Sequence, residues 1–380
     1  MAKDLIKKID TFRSGPFIFS RKYSSQKLSE LLIEAKILYR TIADLPILPD
    51  MSSKLEEEVI RRSIFGTAAI EGNPLTEEEV ANVLAQPEEG KTLQRAEREI
   101  QNLKNTYKVI KGLKLDEKPA LLNKELICKI HKLITEGVED IKNTPGQYRD
   151  HDVKVGDADH GGVYKPPKIF EDIETLMTEF ILWINDDEVL QLDEVLRAAL
   201  AHYHLGLIHP FGNGNGRTAR AVEAIIMRWA GIKYAPEMLS NYYYQHVDEY
   251  FWAFTKSLKN EEKDDVTPFL EFVLKGLIQS LKEVKERVTG FIRVFTLRTY
   301  FDLLKTEKKI TQRQNDLLFF LLEAYEPFIL GDLFKKTSLS ILYRQVSERT
   351  ARRDIEKLSK MELLSKTKDG KYILNLRVLG

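Results

Sequence analysis

LDEVLRAALAHYHLGLI, residues 192–208, runs straight into HPFGNGNGRTAR, residues 209–220. The first half repeats apolar residues every three or four positions, the pattern of an amphipathic helix. The second half sets three glycines, alternating with asparagines, ahead of two arginines three apart. Glycine lets backbone approach a ligand closely, and a helix beginning near Gly214 aims unpaired N–H groups and the positive end of its dipole outward. Arg217 and Arg220, at i and i+3, fall on one face of that helix, each with a planar fork suited to phosphate oxygens. This is the chemistry of a cradle for more than one phosphate. His209, at its lip, is the natural general base.

Familiar nucleotide loops fail here on spacing. A Walker-type loop needs Lys-Ser or Lys-Thr after its last glycine, and Arg217-Thr218 follows Gly216. The dinucleotide fingerprint needs Gly-x-Gly-x-x-Gly after a strand, whereas Gly212, Gly214 and Gly216 are evenly spaced and follow a helical pattern. A hydrolase metal site fails on direction, because residues at i and i+2 of a helix point about 200° apart, so His202 and His204 cannot hold one ion together. Both are expected as ordinary helix residues, packed or at the surface.

Around this stretch lies a chain of 380 residues, 43% hydrophobic and 31% charged, long enough for two or three domains. Its formal net charge is zero, so no overall field points to nucleic acid or membrane. MAKDLIKKIDTFRSG has no continuous apolar run, and no stretch approaches the roughly 18 apolar residues of a spanning helix. A cytoplasmic protein without a membrane partner is the expectation. Cys128, the only cysteine, excludes an intrachain disulfide and a cysteine-rich zinc site, and its setting in ELICKIHKLI suits a small buried hydrophobe.

Periodicity predicts a mainly α fold. Residues 24–45 and the segments LEEEVIRRSIFGTAAI and LLNKELICKIHKLI share the helical pattern. The interruption is residues 144–167, where YRDHDVKV and GGVYKPP flank the turn-rich GDADHGG, predicting a hairpin. Residues 331–380 carry twelve Lys and Arg against six Asp and Glu, marking a separate basic module. There TQRQNDLLFFLLEAY, ILGDLFKK and SERTARRDIEKLSKMELL predict three helices, the last capped by Ser347. Its apolar stripe of Ala351, Ile355 and Leu358 leaves Arg349, Arg352, Arg353 and Lys357 to solvent. KTKDGKYIL predicts a hairpin turning at Asp369-Gly370. Three helices and a small wing resemble a winged helix-turn-helix, a module that binds DNA or docks proteins.

HPFGNGNGRTAR resembles the signature of Fic-domain proteins, HPFx[D/E]GNGRxxR, departing from it only at Asn213. EIQN at 99–102, PGQYR at 145–149, YKPP at 164–167 and VTPFLEF at 266–272 resemble further landmarks of that family. The resemblance implies transfer of AMP from ATP to a Ser, Thr or Tyr hydroxyl of a target protein. His209 would take the hydroxyl proton. Gly212 through Gly216 would form the phosphate loop, with Gly214, Asn215 and Gly216 around the α- and β-phosphates, Arg217 adding charge and Arg220 holding the γ-phosphate. The hairpin at 150–165 resembles the family's flap, in which Val153, Val155 and Tyr164 would meet the target as an added strand. The family's acidic residue contacts magnesium, so Asn213 is a weaker metal candidate, for magnesium or manganese.

TAAIEGN, residues 67–73, resembles the family's inhibitory pattern [S/T]xxxE[G/N], with Thr67, Glu71 and Gly72 in its fixed places. By that resemblance Glu71 pairs with Arg220 and blocks productive ATP binding; in some relatives the same glutamate supports removal of AMP. QHVDEYFWAF, residues 245–254, resembles the NRxxYYxAL segment, which puts Tyr250 and Phe251 at an adenine pocket. The expected organisation is an N-terminal helical region over 1–110 carrying the inhibitory motif, a Fic core over 111–290, and a final helix with winged helix-turn-helix over 291–380. A related phosphoryl transferase is disfavoured by Gly216, where that branch commonly has Lys. The rival from another class is a nucleotide-sensing, DNA-binding regulator. A homodimer is left open.

Overall fold

A computed structural model describes residues 5–86, 93–113, 120–138, 140–335 and 337–379. It divides into two compact units, Met1–Lys285 and Glu286–Gly380, five residues earlier than the boundary expected from composition.

The first unit opens with a hairpin that the helical reading of residues 1–110 passes over: β1 (Ile6–Asp10) pairs antiparallel with β2 (Pro16–Ser20), Ile6 opposite Ser20. Phe17 and Phe19 go into the core, and the turn is held from far away. Asp172 accepts hydrogen bonds from the N–H groups of Phe12, Arg13 and Ser14 at 2.7, 3.0 and 2.8 Å. An anchor 160 residues off leaves no local signature, so five-residue strands stay invisible to periodicity.

Helices follow. Ser24 caps α1 (Ser25–Asp44), Pro49 opens α2 (Pro49–Ile70), and Thr76 with Glu79 makes a capping box on α3 (Glu77–Ala85). Then come α4 (Arg95–Gly112) and α5 (Lys124–Thr135), the latter capped by Asn123. After the loop region come α6 (Phe170–Ile184), the short α7 (Asp187–Leu190), α8 (Glu194–Ile208) and α9 (Asn215–Trp229). Next are α10 (Ala235–Gln245), α11 (Val247–Leu258) and α12 (Thr267–Thr306). α8 and α9 are buried along nearly their whole lengths, so the glycine stretch between them sits where two core helices meet. A shared cluster of Ile64, Ile100, Ile130 and Ile225 joins α2, α4, α5 and α9. α2 lies against α10 backbone to backbone: a Cβ on Gly66 would meet Asn241 Cα at 2.7 Å, so only glycine fits.

The second unit has its own core, including Phe301, Leu317, Tyr343, Ile355 and Leu358. Its elements after α12 are α13 (Gln312–Ala324), α14 (Asp332–Lys335), α15 (Thr337–Tyr343), α16 (Glu348–Lys360), β3 (Leu364–Lys366) and β4 (Tyr372–Leu374). Ser347 caps α16 by accepting from Thr350, as its sequence position predicts, and β3 pairs antiparallel with β4. The sequence does not single out α15, and Lys336 of the ILGDLFKK segment lies outside the described residues. Buried Asp354 ties α16 to α13, accepting from Arg313 Nε at 2.9 Å and Gln314 Nε2 at 2.8 Å. Arg349, Arg352, Arg353 and Lys357 are exposed on the opposite side.

Among the described residues no helix is long and apolar enough to cross a membrane.

Candidate functional site

His209 ends α8 in the left-handed region, with φ 49° and ψ 58°, a turn that swings the chain from one core helix toward the next. Its Nδ1 faces the Gly206 carbonyl at 3.3 Å, and a carbonyl only accepts, so Nδ1 carries the proton and Nε2 is left as a free base. Burial pushes its pKa down to about 4, the nearby Arg149 charge acting in the same direction, so the imidazole is neutral at pH 7. Arg149, itself buried, binds three carbonyls: His209 at 2.8 Å, His151 at 2.6 Å and Pro167 at 2.7 Å. One guanidinium thus fixes the histidine's backbone to both ends of the 150–167 segment.

The glycine stretch divides its labour. Asn215 is a staple, its amide exchanging two hydrogen bonds with the Phe211 backbone at 2.9 and 2.8 Å. Gly212 packs on the Lys142 carbonyl so closely that no side chain fits. Gly214, at φ 73°, is the N-cap of α9, and no side chain caps the helix, so its first N–H groups face outward for an anion. Phe211 stacks face to face on His131 with ring centroids 3.7 Å apart. His131 accepts from Gly146 N–H at 2.9 Å and lies 3.0 Å from the Asn213 carbonyl, which it reaches as donor. Sequence reading gives His131 no role, since its partners are 15 and 82 positions away.

Glu71, at the C-terminal end of α2, occupies this cradle. Its Oε1 is 2.7 Å from Arg220 Nη2, and it lies so close over Gly216 that a Cβ there would collide with it. Burial alone would raise its pKa; the charges of Arg220 and Arg217 outweigh that and hold it below the ordinary carboxylate range. Thr67, one turn earlier, accepts from Arg220 Nε at 2.8 Å through its hydroxyl and from Nη2 at 3.2 Å through its carbonyl. Gly72 takes φ 83° and ends the helix just beyond.

A cleft opens from this point, lined by Glu71, His209, Gly216, Arg220, Tyr250 and Phe251 among others. Arg217 does not join Arg220 there. It turns back to the Asn213 amide oxygen, 3.1 Å away, and toward Glu99 at 3.8 Å. Asn213 gives that oxygen also to Gly214 N–H at 2.6 Å and donates to Asp140 at 2.7 Å. The Asn213 amide oxygen is thus held between a guanidinium and a backbone N–H in this arrangement. Tyr250 lines the cleft with its ring stacked on Tyr243, at 5.0 Å and 11°, and its hydroxyl 2.9 Å from His202 and 3.3 Å from Arg220. Phe251 remains half-buried at the cleft wall, 5.1 Å from the His160 ring.

The expected hairpin over 150–165 is reduced to one bridge, Val155 with Tyr164, closed by hydrogen bonds of 3.0 and 2.7 Å. The next pair outward would set Val153 against Pro166, and proline has no N–H to give. Val153 is half-buried and Tyr164 packs inward, its pKa pushed up to about 12 by burial. His160, at the tip, bonds Asp248 of α11 at 3.0 Å and so draws the tip over the cleft.

Comparison with known proteins agrees with this architecture. Residues 121–227 match the Fic/DOC family. Over 222 residues, 58% of the chain, it is 28% identical to a protein adenylyltransferase Fic of Aedes aegypti and 30% identical to one of Drosophila virilis. The match spans only 40% and 41% of those proteins' lengths. A Fic family protein from Desulfovibrio desulfuricans G20 superposes over 92% of this chain and 96% of its own, with TM-score 0.56 at 20% identity. Fic-1 from C. elegans covers 70% of this chain and 74% of the solved fragment, with TM-score 0.56 at 22% identity.

Proposed function

We propose, from the match of residues 121–227 to the Fic/DOC family, that this chain transfers AMP from ATP to a hydroxyl side chain of a target protein, with Glu71 as a built-in restraint. The observation that carries the reading is Glu71 paired to Arg220 in front of uncapped N–H groups, a carboxylate standing where a phosphate would sit. In the reaction, His209 Nε2 takes the proton of a Ser, Thr or Tyr hydroxyl, and the oxygen attacks the α-phosphorus. The bond to the β-phosphate oxygen breaks and pyrophosphate leaves. The N–H groups at the start of α9 face the charge that develops on the phosphoryl oxygens. Arg220, once Glu71 withdraws, is free to hold the γ-phosphate. The bridge strand at Val155, with Val153 beside it, offers backbone to an extended target segment.

Label transfer from ATP labelled on the α-phosphate tests this. Glu71→Gly is expected to raise labelling of itself or of a lysate protein, and Glu71→Gly/His209→Ala to abolish it. Tight ATP binding by Glu71→Gly with no labelling of any protein would overturn the transferase reading.

A second reading concerns the C-terminal unit, and the exposed cationic side of α16 supports it: Arg349, Arg352, Arg353, Lys357 and Lys360 stand together, while the apolar stripe faces inward. Such a helix followed by a small hairpin suits DNA phosphates. Retention of duplex DNA that weakens steeply with salt and disappears on deleting residues 310–380 is the expected result. Retention unchanged by that deletion would remove this reading.

A further inference from the structure

Behind Arg220 lies a buried polar chain that nothing in the transfer reaction uses. Tyr250 of α11, His202 of α8 and Glu223 of α9 are 3%, 0% and 1% exposed. Arg220 Nη1 reaches the Tyr250 hydroxyl at 3.3 Å, and that hydroxyl lies 2.9 Å from His202 Nε2. His202 Nδ1 lies 3.0 Å from Glu223 Oε2, at an approach oblique to the ring N–H. Tyr243 of α10 donates to both carboxylate oxygens of Glu223 at 3.1 Å.

One assignment gives every member of these contacts a role. Arginine can only donate, so the Tyr250 oxygen accepts from it. In this assignment the Tyr250 hydroxyl donates its proton to His202 Nε2. His202 therefore keeps its proton on Nδ1, facing the acceptor oxygens of Glu223. Donors run from guanidinium to hydroxyl to imidazole, and the Glu223 carboxylate stands 3.0 Å from Nδ1 as a charge partner rather than an aligned acceptor. In a dry interior such a one-way chain is strong, because each bond polarises the next.

We propose that Tyr250, His202 and Glu223 form a positioning relay for Arg220, one that keeps the guanidinium aimed into the cleft after Glu71 has left. The argument is one of symmetry about Arg220. On the inhibitory side it is held by Thr67 and Glu71, both on the α2 end; on the relay side by Tyr250 alone, backed by His202 of α8, Tyr243 of α10 and Glu223 of its own helix. Withdrawal of Glu71 removes the nearest charge partner of Arg220. The relay remains, and it replaces that partner with a hydroxyl oxygen bonded to His202, whose other ring nitrogen faces the Glu223 carboxylate. Glu223 is thereby a distant counter-charge. The part of this inference that concerns phosphate rests on the transferase reading above; the part that concerns Arg220's orientation does not.

Two measurements on the full chain separate those parts. The first needs no nucleotide: in the Glu71→Gly background, arginine side-chain NMR reads how fast the Arg220 guanidinium rotates about its Nε–Cζ bond. Tyr250→Phe, which keeps the ring, is expected to speed that rotation about tenfold, and Glu223→Gln to speed it less, with melting temperatures showing both variants folded. Rotation unchanged in both would overturn the relay. The second is calorimetric titration with ATP and with ADP. Adding Tyr250→Phe to Glu71→Gly should weaken ATP about tenfold and ADP about twofold at most. Equal weakening of both nucleotides would overturn the relay in favour of a plain packing role. Glu71→Gly binding ATP no better than ADP would remove the γ-phosphate role of Arg220 and leave the rotation measurement to decide the relay.

Discussion

Arg217 and Arg220 are one turn apart on the same helix, both buried, and they look in different directions. Arg220 faces the cleft, between Glu71, Thr67 and Tyr250. Arg217 faces the loop, holding the Asn213 amide that Asp140 holds from the other side. Each arginine also has its histidine: His209 at the cleft, and His131 stacked beneath the loop. The difference teaches that i, i+3 spacing gives two side chains a common face at the start of a helix, but partners on other elements decide which of them meets the ligand.

The largest expected effect treats both sides alike. His209 and His131 are each pushed down to about 4, as is His204 behind β2, all three by burial. Unfolded histidine titrates near 6.5, so between about pH 6.5 and 4 the unfolded chain binds protons that the folded chain refuses. Stability is therefore full above pH 6.5 and falls as pH drops, by about 4 kcal/mol per pH unit for three such groups. Urea unfolding across that range reads the slope. His131→Phe should flatten it by about a third, and an unchanged slope would show that His131 is protonated in the fold.

Next comes the cleft side alone. Arg220→Ala in the Glu71→Gly background should cut AMP transfer about 10²–10³-fold, measured as initial rate with saturating target. Arg217→Ala breaks the loop side and should act mainly on stability, costing about 2 kcal/mol through the charge-assisted hydrogen bond to Asn213 that it loses. Equal losses of transfer in the two variants would erase the contrast. The smallest effect sharpens it: Asn213→Asp sets a second carboxylate against Asp140 and should destabilise by about 1 kcal/mol. Millimolar magnesium should reverse that loss in thermal unfolding, and should do nothing for the parent chain.

How much of this was legible depended on how far a residue's partners lie along the chain. The uncapped start of α9, the placement of His209 and the pairing of Glu71 with Arg220 all follow from motifs whose members are close in sequence or fixed by family resemblance. Helix type was legible throughout, because apolar periodicity is local. Tyr250 was not: its hydroxyl partners are 48 and 30 positions away, and a tyrosine beside a phenylalanine gives no sign of which ring stacks on what. Asn213 presented itself as a departure from a pattern, and only Asp140, 73 positions off, shows what its amide does. The 150–165 segment announced a hairpin through its glycines, yet the proline that ends the ladder was in plain sight in YKPP; its meaning needed the register.

Gly66 carries a last consequence. Because α2 touches α10 through bare backbone there, any roll or tilt of the whole helix must first pull that seam apart. Glu71 lies five residues beyond the seam, at the helix end, where unwinding the final turn breaks few bonds. On the proposed reading of Glu71, release of Arg220 is expected as a fraying equilibrium rather than a hinge: graded with temperature, and open to any partner that prefers the last turn of α2 unwound.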